Sequence, residues 1–255
     1  MNRHSWMVGT LALLALACAG VGIALLARGS NPGSRSATVT ISQAPRATSR
    51  PRLTFAHSGH PIVWLRRGES ISIYAAPGGR AVKRLDWQTD FGSRAVFAVF
   101  ARRGRWAGVP TPLLPDGKLG WVKLDPSRLR SGWTRYSIDV DLSSRAARLR
   151  LGRRVVRSFA VTVGSATSPT PTGQFAITDM FRGNLNIAYG CCALATTATQ
   201  PNLPSGWLGG DRIAIHGTTG PVGAALSHGC IRAHNADVSA LVDRVGLGTP
   251  VVIRQ

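Results

Sequence analysis

The sequence predicts a mainly β protein with few helices. Three observations carry that expectation. Apolar residues alternate in segments such as Ile71-Ser72-Ile73-Tyr74 and at Ile138, Val140 and Leu142, and a period of two marks a half-buried strand. Turn signals such as Pro77-Gly78-Gly79 and Gly152-Arg153 separate these segments. Only one stretch is spaced as a helix, with Val238, Leu241, Val242 and Val245 on one face, Asn235 read as its N-cap and Gly246 as its stop.

Along the chain, Trp6 to Ala27 carries no charge and is long enough to cross a hydrocarbon core as a helix. Residues 1–28 are therefore read as a membrane anchor. A cleavable signal peptide is the alternative, since Ala15-Leu16-Ala17 has the small-x-small form of a cleavage site. Arg3 precedes the segment while Arg28 and Arg35 follow it, so flanking charge does not set its topology. Residues 29–50 are rich in Ser, Thr, Pro, Gly and Arg and lack apolar periodicity, which predicts a flexible linker. Residues 51–126 hold short β segments, including Ala95 to Phe100 and Gly120-Trp121-Val122, for which a small β barrel is the natural closure. Trp64, Trp87, Trp106 and Trp121 are expected chiefly in its packing. A second linker is read at Ser127 to Trp133, and a β-rich domain at 133–255, with strands around Val155 to Val163, Phe175 to Ile177 and Arg212 to Ile215.

The formal net charge is +20, from 28 arginines and 3 lysines against 11 acidic residues. The arginines are scattered through strands and turns, without a basic stripe or a reading motif, which argues against nucleic acid as a partner. Attraction to an anionic surface, either phospholipid headgroups or acidic wall polymers, fits the charge, as does plain surface solvation. Beyond the apolar segment stand three cysteines, Cys191, Cys192 and Cys230. An odd count points to one free thiol. Cys191 and Cys192 are open to three states: a vicinal disulfide, pairing elsewhere, or two small buried residues.

Ser227-His228-Gly229-Cys230-Ile231-Arg232, standing after Ile215-His216-Gly217, places one thiol beside two imidazoles. A cysteine attacks as its thiolate, and a nearby imidazole can take the proton. This run resembles the signature of the YkuD family of L,D-transpeptidases residue for residue. The likeness extends to Tyr136 to Val163, Thr170-Pro171-Thr172-Gly173, Tyr189-Gly190 and Gly248 to Ile253, about half of the chain. The region before it resembles, on aromatic spacing and turns, a bacterial SH3-like domain.

On the residues themselves, Cys230 is the candidate nucleophile and His216, after the strand Arg212 to Ile215 and expected at a sheet edge, the candidate base. Gly229 lets the backbone turn tightly, so that the amides of His228, Gly229 and Cys230 are expected to form an oxyanion hole. Ser227 and Arg232 are read as bracing the loop or meeting the substrate. The family resemblance implies that Gly217 orients the imidazole through its carbonyl, that Tyr189 belongs to the substrate groove, and that the domain lies outside the cytoplasm. It further implies a peptidoglycan substrate: Cys230 displaces the terminal D-alanine of a tetrapeptide stem, and an amine of a second stem resolves the thioester into a 3–3 cross-link. Sensitivity to carbapenems is implied with it, and no cofactor is required.

Water or another amine as acceptor gives the alternatives of an L,D-carboxypeptidase or a transferase attaching proteins to the wall. A non-catalytic wall-binding protein is the alternative of a different class. His216, His228, Cys230 and His234 together offer three nitrogens and a sulfur for zinc, but lack a paired-ligand spacing, so no metal is expected.

Overall fold

The computed structural model describes residues 59–206 and 210–255. The anchor or signal segment and the flexible linker expected before them lie outside the described residues.

The first region consists of strands β1 (His60–Leu65), β2 (Ser70–Tyr74), β3 (Ala81–Asp86), β4 (Val96–Ala98), β5 (Ala101–Arg103), β6 (Trp106–Pro110), β7 (Leu119–Lys123) and β8 (Leu129–Thr134). They form a five-stranded sheet, β3-β2-β7-β6-β5, and a three-stranded sheet, β4-β1-β8. Val63, Leu65, Ile73, Val109, Val122 and Leu129, all fully buried, make their shared core. Every strand in both sheets pairs antiparallel, as short strands joined by tight turns must. The edge strand β3 is exposed at Lys83 and Arg84, and such charges oppose pairing with another chain.

The stretch read as a second linker is largely strand. β8 pairs with β1 along its whole length, from His60 opposite Thr134 to Leu65 opposite Leu129. Leu129 alone on it is buried, while Arg130 and Trp133 are exposed, so a half-solvated edge strand carries little apolar alternation. The tryptophans pack. Trp121 is buried, Trp87 lies against the core, Trp106 meets Tyr74 edge-on at 5.0 Å, and Trp64 covers Gly132, where a Cβ would come within 2.9 Å of the ring.

The second region holds β9 (Tyr136–Asp141), β10 (Ala146–Leu151), β11 (Arg154–Ala160), β12 (Val163–Gly164), β13 (Gly173–Arg182), β14 (Cys192–Thr199), β15 (Arg212–Thr218), β16 (Ala225–Ser227), β17 (Ile231–His234), the helix α1 (Asn235–Val242) and β18 (Pro250–Arg254). Eight of these strands form one sheet, β11-β10-β9-β18-β13-β14-β15-β17. β18 runs parallel to β9 and antiparallel to β13, and β17 runs parallel to β15. The short parallel pair β12 and β16 brings Val163-Gly164 beside the entry to the Cys230 loop. Ile138, Val140, Leu149, Ile177, Leu194, Ile215, Ile231 and the apolar face of α1 fill the core.

The N-cap of α1 is His234, without a side-chain cap bond. Asn235, expected as the cap, is the first helical residue, and its Oδ1 accepts from the Cys191 N–H instead. Regular helix ends at Val242, although the Val245 N–H still donates to Leu241 O and Gly246 follows directly.

The two regions touch closely. Asp116 accepts from Thr199 N–H at 3.2 Å, Thr89 Oγ1 donates to Asp179, and Phe91 meets Phe181 edge-on at 5.5 Å.

Candidate active site

β15 carries His216, the candidate base. Its residues Ile213 and Ile215 belong to the core, which leaves Ala214 and His216 on the other face by strand alternation. The strand is interior rather than at an edge, because β17 adds outside it in a pairing that runs from Ile215 opposite Ile231 to Thr218 opposite His234. His216 is accordingly buried. Its Nδ1 lies 2.9 Å from the Gly217 carbonyl oxygen. A carbonyl only accepts, so Nδ1 holds the proton and Nε2 presents its lone pair. The rings of Tyr189 and His216 pack in a T-shaped arrangement with centroids 4.9 Å apart. Tyr189 is held in a one-turn 3-10 helix, Ile187–Tyr189, whose cap is the Asn186 side chain accepting from the Ala188 N–H.

The thiol stands on the loop from β16 to β17. Ser227 is fully buried; its Oγ donates to Cys230 O at 2.6 Å and accepts from Gly229 N–H at 3.1 Å. Ser227 therefore braces the loop from inside and has no surface to offer a substrate. Gly229 must be glycine on two counts. Its φ is +104°, and a Cβ there would lie 2.5 Å from Gln200 Nε2 and 2.7 Å from Ile213 Cδ1. Two further side chains fix this residue. Thr170 Oγ1 donates to Gly229 O at 2.8 Å and accepts from Gly164 N–H at 2.8 Å. Gln200 is pinned by donating to Pro169 O and accepting from Asn202 N–H. Thr170 was visible only as part of the Thr-Pro-Thr-Gly run, and nothing local marks Gln200.

Among the described residues Cys230 is the free thiol, while Cys191 and Cys192 form a disulfide with each other. Burial pushes the Cys230 thiol up, against a smaller opposing effect from a backbone hydrogen bond with Ala214 and the charge of Arg232. Burial pulls His216 down, the Gly217 carbonyl opposing and Arg232 adding to the fall. At neutral pH the pair is thus a neutral thiol and a neutral imidazole. Arg232 exchanges two 2.8 Å backbone bonds with Thr162, and its Nε is buried without a hydrogen-bond partner among the described residues.

A cleft of about 320 Å³ brings together Tyr189, His216, His228, Cys230 and Arg232, with Asn186, Gln200 and Arg212 in its walls. Gly217, Ser227 and Gly229 are not among its lining residues; they act on it from behind. Among the described residues no group of three His, Cys, Asp or Glu side chains gathers as metal ligands would.

Residues 135–253 match the family model YkuD, the L,D-transpeptidase catalytic domain. Two curated proteins that carry the name L,D-transpeptidase YkuD are similar to the chain. That of Bacillus subtilis is 34% identical over 126 residues, 47% of this chain and 66% of its own length. That of Bacillus licheniformis is 35% identical over 127 residues, 46% of this chain and 65% of its own. Among solved structures, Bd1075 of Bdellovibrio bacteriovorus is 25% identical, with a TM-score of 0.38 over 48% of either chain. The chain spans just under two thirds of the length of the curated relatives, and the match to the L,D-transpeptidase catalytic domain is confined to residues 135–253.

Proposed function

We propose that the protein is a peptidoglycan L,D-transpeptidase working through a thioester on Cys230. The observation that carries this reading is a free thiol sharing one cleft with an imidazole whose Nδ1 is fixed 2.9 Å from a backbone carbonyl. A carbonyl replaces the carboxylate of a Ser-His-Asp triad in that role.

In this reading His216 Nε2 takes the Cys230 proton as sulfur attacks the carbonyl of the third stem residue. The terminal D-alanine leaves as an amine, protonated by the imidazolium, and the donor remains as a thioester. An acceptor side-chain amine then gives up a proton to His216 and displaces sulfur, forming the 3–3 amide and restoring the thiol. Gly229 N–H is held by Ser227 Oγ, so the reading assigns the developing oxyanion to the Cys230 N–H. Arg232, whose buried Nε has no partner among the described residues, is assigned to a carboxylate of the stem. The apolar run at 6–27 would hold this domain at the outer face of the membrane.

The test is the intact mass of the full-length protein after exposure to a carbapenem, wild type against Cys230→Ala. An adduct on wild type alone is expected. Adduct on both, or on neither folded protein, would overturn the thiol mechanism. Incubation with disaccharide tetrapeptide then separates acceptors: cross-linked dimer supports transpeptidation, and tripeptide alone means that water resolves the thioester.

A further inference from the structure

Gly217 fixes the base, and one side chain behind the cleft fixes Gly217. Asn235 opens α1 directly after the edge strand β17, and its Oδ1 accepts the Cys191 N–H at 3.0 Å. A Cβ on Gly217 would lie 2.2 Å from that same oxygen, and one on Gly190 would lie 2.3 Å from it. Both glycines therefore press their Cα atoms against it. Gly190 also covers the Gly217 peptide, where its Cβ would come 2.5 Å from the carbonyl carbon and 2.7 Å from the oxygen. A single side-chain oxygen thus seats Gly190, Cys191 and Gly217 together. The Cys191–Cys192 disulfide closes the same corner. Cys191 Sγ, which carries no hydrogen in the disulfide, rests 3.4 Å from Asn235 O.

The consequence reaches the imidazole from two sides. The Gly217 carbonyl is the acceptor for His216 Nδ1–H, and Gly190 directly follows Tyr189, whose ring packs against the imidazole. We infer that Asn235 is a positioning residue for the general base, acting on His216 through the Gly217 peptide. It is not among the residues lining the cleft. Without it the Gly217 peptide plane is free to turn, the carbonyl leaves the Nδ1 proton, and the tautomer that presents Nε2 is no longer favoured. This rests on the reading of Cys230 as nucleophile and His216 as base.

The titratable and charged groups that share the cleft with His216 are Arg232 from β17, His228 and Cys230 from the loop before it, Tyr189 from the 3-10 helix, and Asp211 and Arg212 at the head of β15; Asn235 itself is neutral. Asn235→Asp keeps size and acceptor but sets a carboxylate behind the Gly217 peptide. A nearby negative charge favours the imidazolium, so the acid limb of the rate profile should move to higher pH.

The test follows carbapenem acylation of Cys230 in the full-length protein from acid to alkaline pH for wild type, Asn235→Ala and Asn235→Asp. Iodoacetamide alkylation at high pH, which uses the thiolate directly, serves as the base-independent control. Asn235→Ala should stay folded by thermal melting and lose ~10-fold in acylation, with alkylation unchanged, since small misplacements of a catalytic group are costly. Asn235→Asp should recover most of the rate and show the shifted limb. Wild-type acylation in folded Asn235→Ala, or an equal loss in alkylation, would overturn the assignment. If Asn235→Ala does not fold, Asn235→Asp decides alone: a shifted limb supports the inference and an unmoved one refutes it. Failure of wild type to acylate at all removes the underlying reading, and this inference with it.

Discussion

The two regions of this chain bury different kinds of atoms. In the first, the buried polar side chains are Ser70 and Thr111, and the rest of the core is apolar. In the second, Thr162, Ser168, Thr170, Asp179, Thr196, Thr197, Gln200, His216, Ser227 and Thr249 are all buried. Burying a hydroxyl or amide without a partner costs about 1–3 kcal/mol, so a fold keeps such groups only when they are bonded. Here they are. Thr170, Gln200 and Ser227 each hold a specified backbone atom of the loops around the thiol. Apolar burial holds a shape, whereas a bonded polar interior holds particular atoms in place. The second arrangement is the one that chemistry needs.

The contrast is open to test, beginning with the largest expected effect. His216→Ala should lower carbapenem acylation by ~10²–10⁴-fold with little change in melting temperature. Because burial lowers the His216 pKa from the ordinary 6.5, the neutral base is fully available above that pH. Wild-type acylation should therefore be level from about pH 7 to about pH 8.5 and fall only below 6.5. Since Cys230 is pushed above its ordinary 9.0, direct alkylation should instead climb through that same range. A thiolate–imidazolium pair at rest would give level alkylation and would sink this electrostatic account.

Leu129→Ala tests the other region. It empties a wholly buried site on β8 and should cost about 2–5 kcal/mol of stability, while acylation per folded molecule, measured well below the melting temperature, stays within about twofold of wild type, the site being remote. A large loss of rate in the folded variant would show that the first region shapes the cleft directly. The smallest effect is expected at the junction. Asp116→Ala removes the acceptor for Thr199 N–H and should lower stability by about 1 kcal/mol, with unfolding remaining a single transition. Two separated transitions would mean that the regions are held together by little more than such contacts.

Most strands were legible because one face is buried and the other wet. Ile138, Val140 and Leu149 show it, each fully buried on a strand that alternation marks. β14 was not, since Cys192-Ala193-Leu194-Ala195-Thr196-Thr197-Ala198-Thr199 is buried almost throughout and small residues in a fully covered strand leave no period to read. β8 escaped for the opposite reason, an edge too polar to stand out. Cys230, Arg232 and the brace Ser227 were visible in one local run and His216-Gly217 in another, but Gln200 and the placement of Asn235 were not. Asn235 looked like a helix cap because that is what local chemistry favours; a partner 44 positions away in sequence, the Cys191 amide, claimed its oxygen. Likewise the interior place of His216 depends on β17 pairing alongside β15, which no local pattern announces.

The position of β18 has a consequence for the order of assembly. Pro250–Arg254 sits between β9 and β13, and it alone joins β11-β10-β9 to β13-β14-β15-β17 in the eight-stranded sheet. Among the described strands of this sheet the keystone is the last in chain order, and so the last of them to leave the ribosome. Until it arrives, the sheet is two unconnected fragments with open edges, one of them bearing His216. Completion of the catalytic sheet is therefore a late event by construction, and a ribosome stalled before Pro250 would display a chain unable to close it.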